Sequence, residues 1–102
     1  MEETWYRASR LCRILGNPTA FQILLALERE GPLTPGVLAR RVGRTVATVS
    51  LTLAKLRAVE LVRYDAAGGR PRYRLKQDRE TRTLLTVLAR FVRMAARLAA
   101  PA

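Results

Sequence analysis

The stretch Thr34-Pro35-Gly36-Val37-Leu38-Ala39-Arg40-Arg41-Val42-Gly43-Arg44-Thr45-Val46-Ala47-Thr48-Val49 holds two helix starts separated by one enforced break. Thr34 offers a capping hydroxyl, and Pro35 presets φ at a first-turn position where its missing amide is not needed. Val37, Leu38 and Val42 then recur on one side of a short helix. Gly43 ends that helix and permits a tight turn. Thr45 is a second cap, and the helix it opens runs through Ala58 with Val49, Leu53 and Leu56 as its inward stripe. Two short helices joined across a glycine turn make a helix-turn-helix by organisation alone.

Upstream, Trp5, Ala8, Leu11, Cys12 and Leu15 recur at three and four and predict a helix over 4–15, closed by Gly16, with Arg7, Arg10 and Arg13 on its far side. Asn17-Pro18 repeats the cap-plus-proline device. The helix that follows carries Phe21, Ile23, Leu24, Leu25 and Leu27, is apolar on more than one side, and is the expected centre of the core, ending before Gly31-Pro32.

Downstream the period changes from helix to strand. Leu61–Asp65 and Arg72–Lys76 flank Ala66-Ala67-Gly68-Gly69-Arg70-Pro71, which reads as a hairpin. Period two puts Tyr73 and Leu75 on one face of the second strand and Arg72, Arg74 and Lys76 on the other. A last helix, predicted over 78–99, carries Leu84, Leu85, Leu88, Phe91, Val92, Ala95, Leu98 and Ala99. That stripe is too long for one small core to cover. With the stripe of the first helix it predicts a subunit interface, the alternative being packing within one chain.

Charge follows these elements. Residues 34–76 carry ten of the Arg and Lys against Glu60 and Asp65, +8 of the net +11 of the 102-residue chain, so the expected partner is a polyanion. Arg outnumbers Lys 17 to 2, which favours forked contacts to phosphate over point charges. The length supports one modest core, hence a single domain over 1–102. Cys12 is the sole cysteine, so no internal disulfide can form, as suits a reducing cytoplasm, and its place in the apolar stripe predicts a buried packing role. Met1–Tyr6 is acidic and does not read as a signal peptide, and no apolar run approaches the about 18 residues of a membrane span. With no histidine and no nucleophile beside a base, the chain is not expected to be an enzyme, and no cofactor or metal is expected.

The order and wording of these pieces resemble the winged-helix repressors of the ArsR/SmtB family. The matching stretches are Leu15-Gly16-Asn17-Pro18-Thr19, Gly43-Arg44-Thr45-Val46-Ala47-Thr48-Val49-Ser50-Leu51-Thr52-Leu53, Leu61-Val62-Arg63 and Arg72-Tyr73-Arg74-Leu75. The resemblance implies a mainly α fold with a β-hairpin wing, in the order α-α-α-α-β-β-α, and a homodimer formed through the first and last helices. Trp5, Ala8, Leu11, Cys12, Leu15, Leu84, Leu88, Phe91, Val92, Ala95 and Leu98 would then line the dimer interface. It also implies a repressor that binds double-stranded DNA, with an effector the sequence does not name. Where one common type of metal sensor in that family has a cysteine pair, this chain has Thr34-Pro35-Gly36, so a thiolate-rich sensor site is not expected. The carboxylates Asp78 and Glu80 are read as favourable charge at a helix start rather than as ligands.

For the DNA face, the same resemblance points Thr45, Val46, Ala47, Thr48, Ser50 and Leu51 toward the groove. Arg40, Arg41 and Arg44 before that helix, with Arg63, Arg70, Arg72 and Arg74 in the hairpin, would hold phosphates at two places. Arg70, after two glycines, would either sweep the neighbouring minor groove or simply follow a hairpin closure. Val46, Ala47 and Leu51 depart from the polar or basic residues common in the family and reach at most a thymine methyl. They leave two other readings open: a non-specific architectural DNA binder, and a protein-interaction module on the same fold. Glu60 replaces a usual glycine at the exit of the fourth helix, where a left-handed backbone would cost about 1 kcal/mol.

Overall fold

In the computed structural model, which describes residues 1–99, five helices and one hairpin follow in the expected order: α1 (Glu3–Leu15), α2 (Pro18–Glu30), α3 (Pro35–Val42), α4 (Val46–Ala58), β1 (Val62–Asp65), β2 (Arg72–Leu75) and α5 (Asp78–Ala99). Residues 100–102, the end of the domain read from sequence, lie outside the described residues. The three predicted caps are made by side chains. Asn17 Oδ1 accepts from the Ala20 amide at 3.1 Å, Thr34 Oγ1 from Val37 at 3.3 Å, and Thr45 Oγ1 from Thr48 at 3.1 Å. Each satisfies one amide that the first helical turn would otherwise leave without a partner.

The core lies among α2, α3, α4 and the hairpin. Ile23, Leu24 and Leu27 of α2 meet Leu38 of α3, Val49, Leu53 and Leu56 of α4, and Val62 of β1, all fully buried. These residues, from four elements, form one apolar cluster. Gly43 has φ 67° and ψ 38°, a left-handed cap that only glycine adopts without cost, and from it the chain turns back so that α4 crosses α3.

The exit of α4 is a Schellman turn built on a residue other than glycine. The Glu60 amide donates to the Arg57 carbonyl and the Leu61 amide to the Leu56 carbonyl, both at 3.0 Å, while Glu60 sits at φ 64°. Glu60 thus takes the left-handed backbone usual for glycine at this exit, not a differently shaped one. Gln77, leaving the hairpin, is also left-handed at φ 51°, and its side-chain amide donates to the Glu60 carbonyl at 3.2 Å. The two strained residues thus brace each other across the base of the wing.

The strands pair antiparallel in the register Val62 to Leu75, Arg63 to Arg74, Tyr64 to Tyr73 and Asp65 to Arg72, and a further bond from Lys76 to Leu61 continues the ladder. Tyr64 and Tyr73 meet edge to face at 5.4 Å. Leu33, between α2 and α3, exchanges both backbone bonds with Tyr73, so β2 has a one-residue neighbour on its second side. The tip holds a short 3-10 turn at Ala67–Gly69.

The terminal helices pack differently from the middle. In α1, Leu11, Ile14 and Leu15 lean on the core, but no residue is buried. Cys12 is exposed, which corrects the buried role expected from the stripe. At 100° per residue it falls on the flank shared by Trp5 and Ala8, and Ile14 takes the inward place. In α5 only Thr81 and Leu85 are buried. Arg82 fixes its base: Nη1 donates to the Glu28 carboxylate at 2.8 Å and the Glu28 carbonyl at 3.1 Å, and Nε donates to Asp78 at 3.0 Å.

Candidate nucleic-acid interface

Thr45, Val46, Ala47, Thr48, Ser50 and Leu51 are all exposed on the first two turns of α4. Val49 and Leu53 point inward from the same turns, so the helix is anchored on one side and open on the other. Val46 keeps 51% and Leu51 70% of its surface in solvent. Arg40 and Arg44 share a shallow concavity with Thr45, Val46 and Thr48 at the start of the helix, bringing two cations beside the proposed reading residues.

Arg41 is held elsewhere. Its guanidinium donates to the Glu30 carboxylate through Nε and Nη2 at 2.8 to 3.1 Å, a forked pair joining α3 to the end of α2. The hydrogen bonds from Arg41 pull the Glu30 carboxyl below the ordinary range and raise Arg41 in turn. Charge counting along the chain includes this cation in the DNA face, whereas the fold commits it to a neighbour eleven residues away.

In the hairpin, alternation separates two sets of side chains. Val62, Tyr64, Tyr73 and Leu75 share the inner face, and the Arg57 guanidinium lies over the Tyr64 ring at 5.5 Å, linking the end of α4 to the wing. Arg63 and Arg74 are directly opposite each other on the outer face and line a second concavity with Lys76 and Arg82 near Pro32 and Asp78. Like charges facing across a strand pair repel, an arrangement that an anionic partner would relieve. Arg72 stands across from Asp65, Arg70 follows the tip, and both are exposed. Lys76 is paired with Glu60.

The cations therefore form two groups. One lies before α4 and one on the outer face of the wing, and the two concavities share no lining residue. Neither the Arg57–Tyr64 stack nor the Arg82–Glu28 link carried a sequence signal: the second joins residues 54 positions apart, and the first forms only because the exit of α4 turns the strand back along the helix end. Asp78 accepts from Arg82, and among the described residues no group of three or more Cys, Asp or Glu side chains is placed to hold a metal ion.

A family model described as a helix-turn-helix domain matches residues 15–65, half of the chain. Over 74% of this chain and 78% of the other, the sequence is 38% identical to a cadmium metal-sensor from Mycobacterium tuberculosis, with a TM-score of 0.64. The chain belongs to the ArsR/SmtB-like winged helix-turn-helix family. NolR from Sinorhizobium fredii is a further similar structure, 28% identical over 87% of each chain with a TM-score of 0.77. A homodimeric winged helix-turn-helix DNA-binding domain from Mycobacterium bovis, described as a possible ArsR-family regulator, shares the fold at a TM-score of 0.80 with 22% identity, covering 97% of this chain and 91% of the other. No curated protein sequence matches the chain significantly. This ArsR-like chain is similar to solved transcriptional regulators at 26% and 28% identity. No helix among its described residues is long and apolar enough to cross a membrane.

Proposed function

We propose that this protein is a homodimeric transcriptional repressor that binds duplex DNA with α4 in the major groove and the basic wing on flanking phosphate. The observation that carries the reading is the exposed first half of α4, anchored from behind by Val49 and Leu53 and flanked by Arg40 and Arg44. No Asp or Glu occurs between Thr34 and Val59. A surface of that sign attracts phosphate and repels basic partners.

The dimer half of the proposal rests on bare apolar surface. Phe91 and Leu98 of α5 are 73% and 80% exposed and Trp5 of α1 is 68% exposed, while Val87, Val92 and Met94 are exposed beside them. A second copy would cover these faces through a two-fold contact and present two reading helices to successive grooves.

Titration of a labelled duplex library in the presence of genomic competitor tests the function. A preferred site, with affinity falling as salt rises at a logarithmic slope near −5 for about six phosphate contacts, is the expected result. Equal binding to all duplexes at moderate salt would favour an architectural binder. No binding at low salt would remove the DNA reading.

A further inference from the structure

The outward face of α4 is short of groups that can identify a base by hydrogen bonding. Between Thr45 and Ala54 there is no Arg, Lys, Asn, Gln, Asp or Glu, the side chains whose paired donors and acceptors match a single base edge. The hydroxyls are further depleted by the fold. Thr45 donates to Thr48 Oγ1 at 3.0 Å and accepts from the Thr48 amide, and Thr52 donates to the Thr48 carbonyl at 2.9 Å. That leaves the protons of Thr48 and Ser50, and a single hydroxyl can donate or accept, so it discriminates weakly.

What the face does offer is apolar. Ala47, Leu51 and Ala54 follow one another at four- and three-residue spacing along the exposed side, and Val46 stands beside them next to Arg44. A protein partner for this patch would have to accept a rim of Arg40, Arg44, Lys55 and Arg57 with no carboxylate among them, whereas a duplex supplies phosphates on both sides of the groove. Inside a major groove the one apolar group on a base edge is the C5-methyl of thymine.

We propose that Val46, Ala47 and Leu51 make α4 a reader of thymine methyl groups, so that the preferred site presents a thymine-rich segment to this helix. The proposal rests on the DNA-binding reading and specifies its chemistry. Leu51, more exposed than Val46, is the main specificity residue, and the cations supply affinity without choosing sequence.

The test takes the duplex recovered by selection with the full chain and replaces thymines by deoxyuridine, which removes the methyl and keeps base pairing. Each contacted methyl lost is expected to weaken binding about fourfold, as about 0.8 kcal/mol per buried CH2 implies, and replacing all thymines in the segment tenfold or more. Leu51→Ala, at an exposed position, is expected to bind the thymine and deoxyuridine duplexes with nearly equal affinity. Unchanged affinity for the deoxyuridine duplex overturns the proposal while leaving DNA binding intact. So does a thymine preference that persists in full in both Leu51→Ala and Val46→Ala. Failure to recover any bound duplex overturns this proposal together with the function it rests on.

Discussion

The middle of the chain and its last helix both carry apolar stripes, yet one is closed and the other open. The stripe of α4 disappears completely under α2, α3 and the wing, with Val49, Leu53 and Leu56 all buried. The stripe of α5 is longer and more cleanly amphipathic, and it buries only Leu85 and the threonine at its base. Amphipathic periodicity therefore says that a face seeks cover. It does not say whether the cover comes from the same chain.

The sharpest way to break the contrast is to damage both sides. Leu53→Ala should lower unfolding free energy by about 3 kcal/mol, read by chemical denaturation, because a fully buried leucine leaves a cavity that the core cannot refill. Phe91→Glu should leave the helical signal intact but convert the proposed dimer to monomer in sedimentation equilibrium. It should also weaken binding to a two-half-site duplex by about 100-fold through loss of simultaneous engagement. If Phe91→Glu remained dimeric, the open face of α5 would need another explanation.

Two smaller effects probe the middle alone. Glu60→Gly should stabilise the protein by about 1 kcal/mol in the same denaturation experiment, since relief of the left-handed backbone outweighs an exposed ion pair with Lys76. Glu30 has a folded carboxyl depressed below its ordinary value of 4.5 by Arg41. Its contribution to stability is therefore complete above that value and lost as pH falls through the lower, folded one. Glu30→Gln should flatten that acid-side loss. By releasing Arg41, it should also steepen the salt dependence of DNA binding by up to about 0.9 in logarithmic slope.

The helices were legible because their signals are local. Asn17-Pro18, Thr34-Pro35 and Thr45 name their own starts, Gly43 names a break, and α5 begins at Asp78 and runs to Ala99 as its stripe indicated. The hairpin was legible through its alternation and its glycines. Pairing across sequence distance was not. The Leu33 bridge to Tyr73 involves one residue with no period to betray it, and the capture of Arg41 by Glu30 depends on how α3 folds back on α2. For the candidate site this means that the exposed helix α4 could be located from sequence, while the pairing of its neighbouring cations could not. Cys12 shows a finer limit, since spacing of three and four selects a broad helical arc and only packing decides which edge of that arc faces in.

Arg82 has a consequence that reaches beyond its own contacts. A helix of 22 residues rising about 1.5 Å each is some 33 Å long, so a tilt of about 5° at its base displaces its far end by roughly 3 Å. The Arg82 guanidinium, reaching Glu28 of α2, anchors that base together with the buried Thr81 and Leu85. In a two-fold pair joined along α5, the same small angle would govern how far apart the two grooves must lie, and hence which operator spacing fits.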